Sequence, residues 1–247
     1  KSVKNVAGYD LTKLICGAEG TLGILTKILV KLVPLPEYHK TMTATFASLK
    51  AAGYAIIGII GAKVIPATME LLDQVTMQVV EDYKPIGLPV DQKVMLLIEV
   101  DGSVLSEVEN DFQKVIEQCE KNGATIIKQA KTEEERAQLL AGRRAALPAL
   151  ARVKPTTVLE DATVPRNRIP DMLVRLEEIA EKYKLQIGTF GHAGDGNLHP
   201  TILTDSRDEE EMSRVRQAID EIFATALEMG GTLSGEHGIG IGKSKYM

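Results

Sequence analysis

The sequence predicts an α+β fold, in which an antiparallel or mixed β-sheet carries helices on one face. Short apolar runs typical of strands alternate with longer amphipathic runs typical of helices, giving strand–helix–strand twice in succession. The rest of the chain adds a helix, a strand, another helix, a β-hairpin and a final helix. Repeated strand–helix–strand units suggest a ferredoxin-like duplication, although the sequence shows no repeat.

The composition is that of a folded globular protein. The chain has 247 residues, of which 44% are hydrophobic and 26% are charged, so it can bury a core. The net charge of −5 comes without a basic patch, which argues against a nucleic-acid partner. No apolar run reaches transmembrane length, and Cys16 and Cys119 lie in no disulfide-framework or cluster spacing. We therefore expect a cytoplasmic protein, free or peripheral to the inner face of the membrane.

Capping residues and apolar spacing predict the helices, and apolar runs predict the strands. The predicted helices are residues 9–15 with Asp10 as N-cap, Ser48 to about Gly61, residues 69–83, Ser103 to about Asn122, Thr132 towards Pro148, Asn167 or Arg168 to about Tyr183, and 208–229. The predicted strands are residues 25–35, 40–46, 94–100, 124–128 and 158–164, with the hairpin in 185–202.

The hairpin carries two of the four histidines, in residues 188–199, which read GTFGHAGDGNLH. Asp195-Gly196 predicts a two-residue turn, whose positions both need positive φ. With this turn at the tip, His192 lies directly opposite His199, and the two imidazoles share one face. Such a pair suits one metal ion, with Glu236 or His237 as a third ligand and an open position for substrate. The plainer interpretation is a pair of polar residues flanking a turn.

A second glycine-rich stretch, residues 16–24, reads CGAEGTLGI. Three glycines around a threonine are able to form a backbone cradle for phosphate oxygens. A tight turn between a helix and a strand is an equally good interpretation of this pattern.

Three motifs resemble the FAD-linked oxidases of the vanillyl-alcohol oxidase and p-cresol methylhydroxylase type. They are residues 5–24, NVAGYDLTKLICGAEGTLGI, residues 191–199, GHAGDGNLH, and residues 235–240, GEHGIG. The last two match the members that oxidise 2-hydroxyacids, the glycolate oxidase and D-lactate dehydrogenase group. The resemblance covers essentially the whole chain.

The resemblance implies a set of site residues. It makes His192, His199 and Glu236 ligands of a divalent metal, zinc or manganese, and His237 the catalytic base. It assigns the substrate carboxylate to Arg143, with Arg144 as the alternative. The FAD contacts that it implies are Glu19, Gly20, Thr21, Gly23 and Ile24.

The resemblance also divides the chain. Residues 1–36 are similar to the C-terminal end of the FAD-binding domain, and residues 37–247 to a substrate-binding (cap) domain that in the family usually continues further. The family's glycine-rich pyrophosphate loop is not in this sequence, so we do not expect FAD to remain bound to this stretch alone. Leu159 stands where relatives that use a second substrate carboxylate have a lysine, which favours small monocarboxylates.

The implied function is FAD-dependent oxidation of a small D-2-hydroxyacid, glycolate or D-lactate, to the 2-oxoacid. The implied electron acceptor is an iron–sulfur subunit, an electron-transfer flavoprotein or a quinone. The alternatives are a metal-dependent hydrolase, which would turn over without flavin, and a non-catalytic metal-binding domain. A metal-free binding or interaction domain is a further alternative, and metal content after purification distinguishes it from the other classes.

Overall fold

The structure, a computed structural model, describes residues 4–247. Helices and strands alternate along most of this range. The elements are α1 (Leu11–Ile15), β1 (Tyr38–Phe46), α2 (Leu49–Gly61), β2 (Thr68–Asp73), α3 (Gln74–Tyr83), β3 (Val94–Gly102), α4 (Leu105–Lys121), β4 (Ile126–Gln129), α5 (Glu133–Leu150), β5 (Thr156–Leu159), β6 (Ala162–Thr163), α6 (Ile169–Tyr183), β7 (Gln186–His192), β8 (Asn197–Thr204) and α7 (Glu209–Glu228).

The strands form one antiparallel sheet in the order β4-β1-β3-β2-β7-β8-β5, and β6 also pairs with β8. The first four strands, with α2 and α4, have the order of a ferredoxin-like unit. A second unit follows the same path from β5 and β6 through α6, β7, β8 and α7 to a single bridge between Thr163 and Thr232. The two units join edge to edge through β2 and β7, which is the duplication that the alternating pattern suggested.

Helices cover both faces of this sheet, unequally. The main core lies under α2, α4, α6 and α7 and contains Phe46, Ile56 and Leu71. A smaller core under α3 and α5 contains Leu72 and Met95. Because neighbouring strand residues point to opposite faces, consecutive apolar residues such as Leu71 and Leu72 make both faces of the sheet hydrophobic. The predicted α+β class is confirmed. The sequence predicted helices on one face only, which corresponds to the larger helical layer; the structure adds α3 and α5 on the other face.

Four helices begin directly after a residue whose side chain caps them. Asp10, Ser48, Thr132 and Asp208 each accept a hydrogen bond from the backbone N–H three residues later. Ser103 is the exception, because α4 begins after Val104 without a side-chain cap. These local hydrogen bonds need no distant partner, which is why the sequence alone identifies them.

The prediction of one helix over residues 69–83 is wrong in its first part. Residues 68–73 form β2, which lies in the middle of the sheet between β3 and β7. The helix α3 starts only after Asp73, whose carboxylate accepts from Thr76 N at 2.8 Å. Pairing on both sides of β2 outweighs the helical spacing of its apolar residues.

The prediction of a strand over residues 25–35 is also wrong. These residues have no strand pairing in the described part of the chain. Their apolar side chains are exposed on both sides, with Ile28 and Leu29 each at 76% exposure. An alternating pattern without a neighbouring strand gives no ladder of hydrogen bonds. Among residues 4–247, every helix is too short or too polar to cross a lipid bilayer.

Candidate metal and substrate site

The hairpin that carries the two histidines has a longer loop than predicted. His192 pairs with Asn197, and Phe190 pairs with His199, so four residues lie between β7 and β8. Asp195 N donates to His192 O at 3.0 Å, and Gly196 has a φ of 78°. The direct opposition of His192 and His199 predicted from a two-residue turn is therefore wrong. A turn closed at Asp195 and followed by a left-handed glycine is the usual build of a longer hairpin loop.

The two histidines nevertheless share a face, as diagonal rather than opposed neighbours. Their ring centroids lie 5.4 Å apart with perpendicular planes. Diagonal cross-strand residues are within reach of each other when their side chains are large. The same-face relation survives because the observed register differs from the predicted one by two residues, which is one full side-chain period of a strand.

Glu236 completes a cluster with these histidines. Its Oε1 lies 3.3 Å from His192 Nε2 and 3.1 Å from His199 Nε2. One ligand atom from each of the three residues lies within 4.8 Å of the other two. Metal–ligand bonds of about 2.1 Å in a tetrahedron separate the ligand atoms by roughly 3.4 Å. Two imidazoles and one carboxylate at these separations fit a divalent metal that keeps an open coordination position.

The environment of His199 favours the neutral imidazole that metal ligation requires. Its side chain is buried, and burial lowers its pKa, with the charge of His237 acting in the same direction. His237 stacks on it, with ring centroids 5.0 Å apart and planes within 8°. His237 Nε2 lies 4.0 Å from Glu236 Oε1, so its ring faces the same cluster from the side.

The loop that carries Glu236 and His237 is held by one buried carboxylate. Asp161 Oδ2 accepts four hydrogen bonds, from Ser234 Oγ (2.6 Å) and from the backbone N–H groups of Gly235 (2.9 Å), Glu236 (3.0 Å) and His237 (2.9 Å). Burial raises the pKa of Asp161, but these hydrogen bonds outweigh it and hold the pKa well below its usual range. The carboxylate therefore stays ionised and fixes the loop.

Asp161 is free to do this because the strand around it is interrupted. The predicted strand over residues 158–164 is split into β5 and β6, which pair with β8 in one unbroken register. Asp161 falls in the gap, opposite His199. The gap follows from Pro200, which accepts from Glu160 N at 3.0 Å but has no N–H to return the bond.

A second carboxylate, Glu70 on β2, lies on the other side of His192. Its Oε1 is 2.7 Å from His192 Nδ1, and its Oε2 accepts from Arg143 Nε at 2.7 Å. The Arg143 guanidinium lies over the Phe190 ring, 4.7 Å from its centroid. Arg144 instead is exposed and donates to a carbonyl within its own helix. Of the two arginines proposed for substrate, the structure brings Arg143 to the cluster.

Sequence reasoning missed Glu70 and did not assign a role to Asp161. The sequence offered one indication of Glu70, an acidic residue within the apolar run Met69–Leu72. Because this run was predicted as a helix, Glu70 was not expected to face the hairpin histidines. The signal for Asp161 was a carboxylate inside a predicted strand. Neither signal identifies a partner until the strands are paired.

The N-terminal stretch reaches the site loop through Glu19. Its carboxylate accepts from Ile239 N at 2.6 Å and from Gly240 N at 2.8 Å. The N–H groups of Ile239 and Gly240 lower the pKa of Glu19. The other predicted FAD contacts, Gly20, Thr21, Gly23 and Ile24, lie in the same exposed stretch, where Thr21 Oγ1 donates to Ala18 O at 2.6 Å. Their contact with a cofactor stays a prediction.

Comparison with known proteins identifies the family of this chain. Residues 35–247 match the model of the FAD linked oxidases, C-terminal domain. The chain is 55% identical over 247 residues to the glycolate oxidase subunit GlcD of Bacillus subtilis, covering 100% of this chain and 52% of that protein. It is 39% identical to GlcD of Escherichia coli, with coverage of 97% and 48%. A probable mitochondrial D-lactate dehydrogenase of Danio rerio is 34% identical, again with coverage of 97% and 48%.

Solved structures show the same fold at low sequence identity. An alkyldihydroxyacetonephosphate synthase superposes with a TM-score of 0.68 at 17% identity, over 94% of this chain and 47% of that one. A p-cresol methylhydroxylase superposes with a TM-score of 0.56 at 13% identity, over 80% and 45%. The chain spans about half the length of the relatives that it matches. Because the family model matches most of its length, the chain belongs to the FAD-linked oxidases, through the C-terminal domain of that family.

Proposed function

We propose that this chain supplies the metal and substrate site for FAD-dependent oxidation of a small D-2-hydroxyacid, glycolate or D-lactate, to the 2-oxoacid. The observation that carries the proposal is the cluster of His192, His199 and Glu236, with Arg143 beside it. The names of the relatives, glycolate oxidase subunit and D-lactate dehydrogenase, support this substrate class. Membership of an FAD-linked family favours oxidation over the hydrolase alternative.

In this proposal His192, His199 and Glu236 hold the divalent cation, zinc or manganese. A bound cation supplies Lewis-acid chemistry that acidifies the substrate hydroxyl, and FAD supplies the hydride acceptor. His237, stacked on His199 and facing the cluster, takes the proton of the hydroxyl at its ring nitrogen. Stacking on a buried neighbour keeps this ring at the cluster without occupying its nitrogen.

Arg143 binds the substrate carboxylate. Its Nε is engaged by Glu70, and its two terminal nitrogens have no hydrogen-bond partner among residues 4–247. A guanidinium over the Phe190 ring with its Nε engaged keeps the two terminal nitrogens as a pair, which suits bidentate recognition of a carboxylate. Leu159, half-buried against the smaller core, adds no cation for a second carboxylate, which supports monocarboxylates.

The two-part division of the chain belongs to the same proposal. Residues 1–36 form the end of an FAD-binding domain, with Glu19, Gly20, Thr21, Gly23 and Ile24 towards the cofactor, and residues 37–247 form the substrate domain. The start of the family match at residue 35 supports this boundary. Electrons leave to an iron–sulfur subunit, an electron-transfer flavoprotein or a quinone, and the expected location is cytoplasmic.

Three histidine variants test the site together. His192→Asn removes a ligand and is expected to lose both metal and activity in the FAD-loaded enzyme. His237→Asn is expected to keep the metal and lose turnover by about 100-fold or more, because only the base is removed. His39→Asn is the control, since His39 pairs with Glu133 at 2.6 Å outside the cluster.

The measurements are elemental analysis of the purified proteins and oxidation rates with glycolate and D-lactate. Wild type and His39→Asn are expected to carry about one divalent metal per chain. Equal metal content in His192→Asn and wild type would refute the ligand assignment. Loss of metal from His237→Asn together with retention of metal in Glu236→Gln would show that the roles of His237 and Glu236 are exchanged.

A further inference from the structure

We propose that Glu70 is a positioning residue on which metal binding and substrate binding both depend. One of its carboxylate oxygens orients His192 towards the metal, and the other orients Arg143 towards the substrate carboxylate. The proposal rests on the proposed function, because it takes His192 as a ligand and Arg143 as the carboxylate anchor. Nothing in the sequence pattern around Glu70 suggests this double role.

The first half of the argument is the contact with His192. The ladder between β2 and β7 places Glu70 directly opposite His192, at the joint of the two ferredoxin-like units. A carboxylate 2.7 Å from Nδ1 accepts a hydrogen bond from this nitrogen, which therefore carries the ring proton. The lone pair then lies on Nε2, the atom that faces Glu236. Carboxylates in this position fix the tautomer and the ring plane of metal-binding histidines.

The second half is the contact with Arg143. The ion pair is largely withdrawn from water, since the Glu70 side chain is 14% exposed and that of Arg143 is 22% exposed. Charge-assisted bonds of this kind are stronger than those at an open surface. The bond from Nε to Glu70 and the contact of the guanidinium with the Phe190 ring together restrict how Arg143 is oriented.

Only an ionised carboxylate serves both partners. His192 Nδ1–H and Arg143 Nε–H are both donors, and each takes a different oxygen of Glu70. Glutamine of the same shape offers one acceptor oxygen and one donor NH₂. In Glu70→Gln one of the two donors therefore faces another donor, and the neutral amide oxygen is a weaker acceptor for the other, so the contacts with His192 and Arg143 both weaken.

The molecule contains a matched control in Glu99. Arg136 lies about two helical turns before Arg143 on α5, and it donates to Glu99 at 2.7 and 2.9 Å. The Glu99 side chain is 11% exposed, and its strand position pairs with Thr68, two residues before Glu70. Glu99→Gln thus weakens a similar ion pair on the same sheet face without touching a cluster histidine.

The test is zinc affinity of the full chain, measured with Zn²⁺ alone by competition with a chelator. Glu70→Gln is expected to bind Zn²⁺ about 10- to 100-fold more weakly than wild type, as for other losses of such a carboxylate. Glu99→Gln is expected to bind like wild type. Arg143→Ala is expected to keep the Zn²⁺ affinity, because Glu70 still accepts from His192. In the FAD-loaded enzyme, both Glu70→Gln and Arg143→Ala are expected to raise the KM for glycolate.

The outcomes separate the two levels of the argument. Unchanged Zn²⁺ affinity in Glu70→Gln, with a clear loss in His192→Asn, overturns the role of Glu70 and leaves the metal site standing. A similar loss in Glu70→Gln and Glu99→Gln also overturns it, because the effect is then general. Wild-type protein that binds no Zn²⁺, or binds it equally without His192, refutes the proposed function itself.

Discussion

The two ferredoxin-like units share a path but differ in regularity. In the first, β1 is a continuous strand of nine residues that pairs along its length with β3, and β4 pairs with it over four residues. In the second, the corresponding first strand is split into β5 and β6. Its fourth strand is reduced to one bridge between Thr163 and Thr232.

The candidate site lies where the second unit is irregular. The split leaves Asp161 out of the ladder, with its carboxylate available to the loop. After the single bridge at Thr232 the chain leaves the sheet. The loop that follows brings Glu236 and His237 into contact with His199. The first unit contributes Glu70, at the joint. Backbone pairing leaves strand side chains such as Glu70 and His199 available for the site, and the two interruptions in one copy add an anchor and a loop.

Removing the anchor is the strongest way to test this difference between the units. Asp161→Ala leaves three backbone N–H groups and one hydroxyl without an acceptor. Hydrogen bonds to a charged group contribute about 1.5–3 kcal/mol each, but water replaces part of them at the exposed residues 235–237, so we expect a loss of about 4 kcal/mol in the free energy of unfolding. Zn²⁺ affinity is expected to fall at least about tenfold, because the proposed ligand Glu236 loses its support. Urea unfolding and chelator competition measure the two effects.

Glu160→Ala is the control for this variant. Glu160 precedes Asp161 and lies 3.9 Å from Lys243 Nζ, but it does not bond to the loop. Because this ion pair is largely withdrawn from water, we expect Glu160→Ala to lower stability by about 3 kcal/mol but to leave Zn²⁺ binding intact. An equal loss of Zn²⁺ affinity in the two variants would show that the loop is held by its general surroundings rather than by Asp161.

The sequence predicted those features that local hydrogen bonds determine. Thr132 caps α5 as expected, and the two histidines and Glu236 meet as expected from the motifs. The hairpin register was not predictable, because the tip is also fixed by β2, where Gly194 N donates to Met69 O at 3.3 Å. Gly196 is needed for another distant contact, since a side chain there would lie 2.2 Å from Val164 O.

Glu70 shows the same limit. Its apolar neighbours fit a helix as well as a strand, and the choice is made by β3 and β7 on either side. Only after that pairing does Glu70 face His192. Local sequence therefore predicts which residues are special, and the joint between the units decides which of them meet.

The joint itself is tested through Asp73, which ends β2 and accepts from Thr189 N of β7 at 2.7 Å. Burial raises the pKa of Asp73 to about 6, although hydrogen bonds from Thr76 and Thr189 oppose the shift. The folded protein then holds a proton that the unfolded chain releases near its usual pKa of 3.8. The stabilisation is fully present below about pH 4 and is lost as the pH rises through about 6.

The size of this effect is at most about 3 kcal/mol, and less as solvent reaches the half-buried carboxyl. Asp73→Asn does not titrate, so the measurement is the stability of wild type minus that of the variant in urea between pH 4 and 7. This difference is expected to decrease with rising pH. A constant difference would show that water reaches Asp73 and that the joint between the units is open.

The smallest expected effect concerns Glu19, which joins the N-terminal stretch to the loop of the second unit. Glu19→Gln removes the negative charge from bonds to Ile239 N and Gly240 N. Because Glu19 is fully exposed, we expect only about a fivefold acceleration of amide hydrogen exchange at these two positions.

Glu37→Gln is the control, since Glu37 is exposed in the same stretch and its side chain has no hydrogen bond among residues 4–247. Lowering the pH through the depressed pKa of Glu19 is expected to accelerate exchange in wild type as the substitution does, once the intrinsic pH dependence is subtracted. If exchange is the same in wild type, Glu19→Gln and Glu37→Gln, the loop does not engage the Glu19 carboxylate, which is then free for the FAD contact that the sequence motif implies. If exchange changes only in Glu19→Gln, the irregular loop of the second unit is held at both ends, by Asp161 at its start and by Glu19 beyond His237.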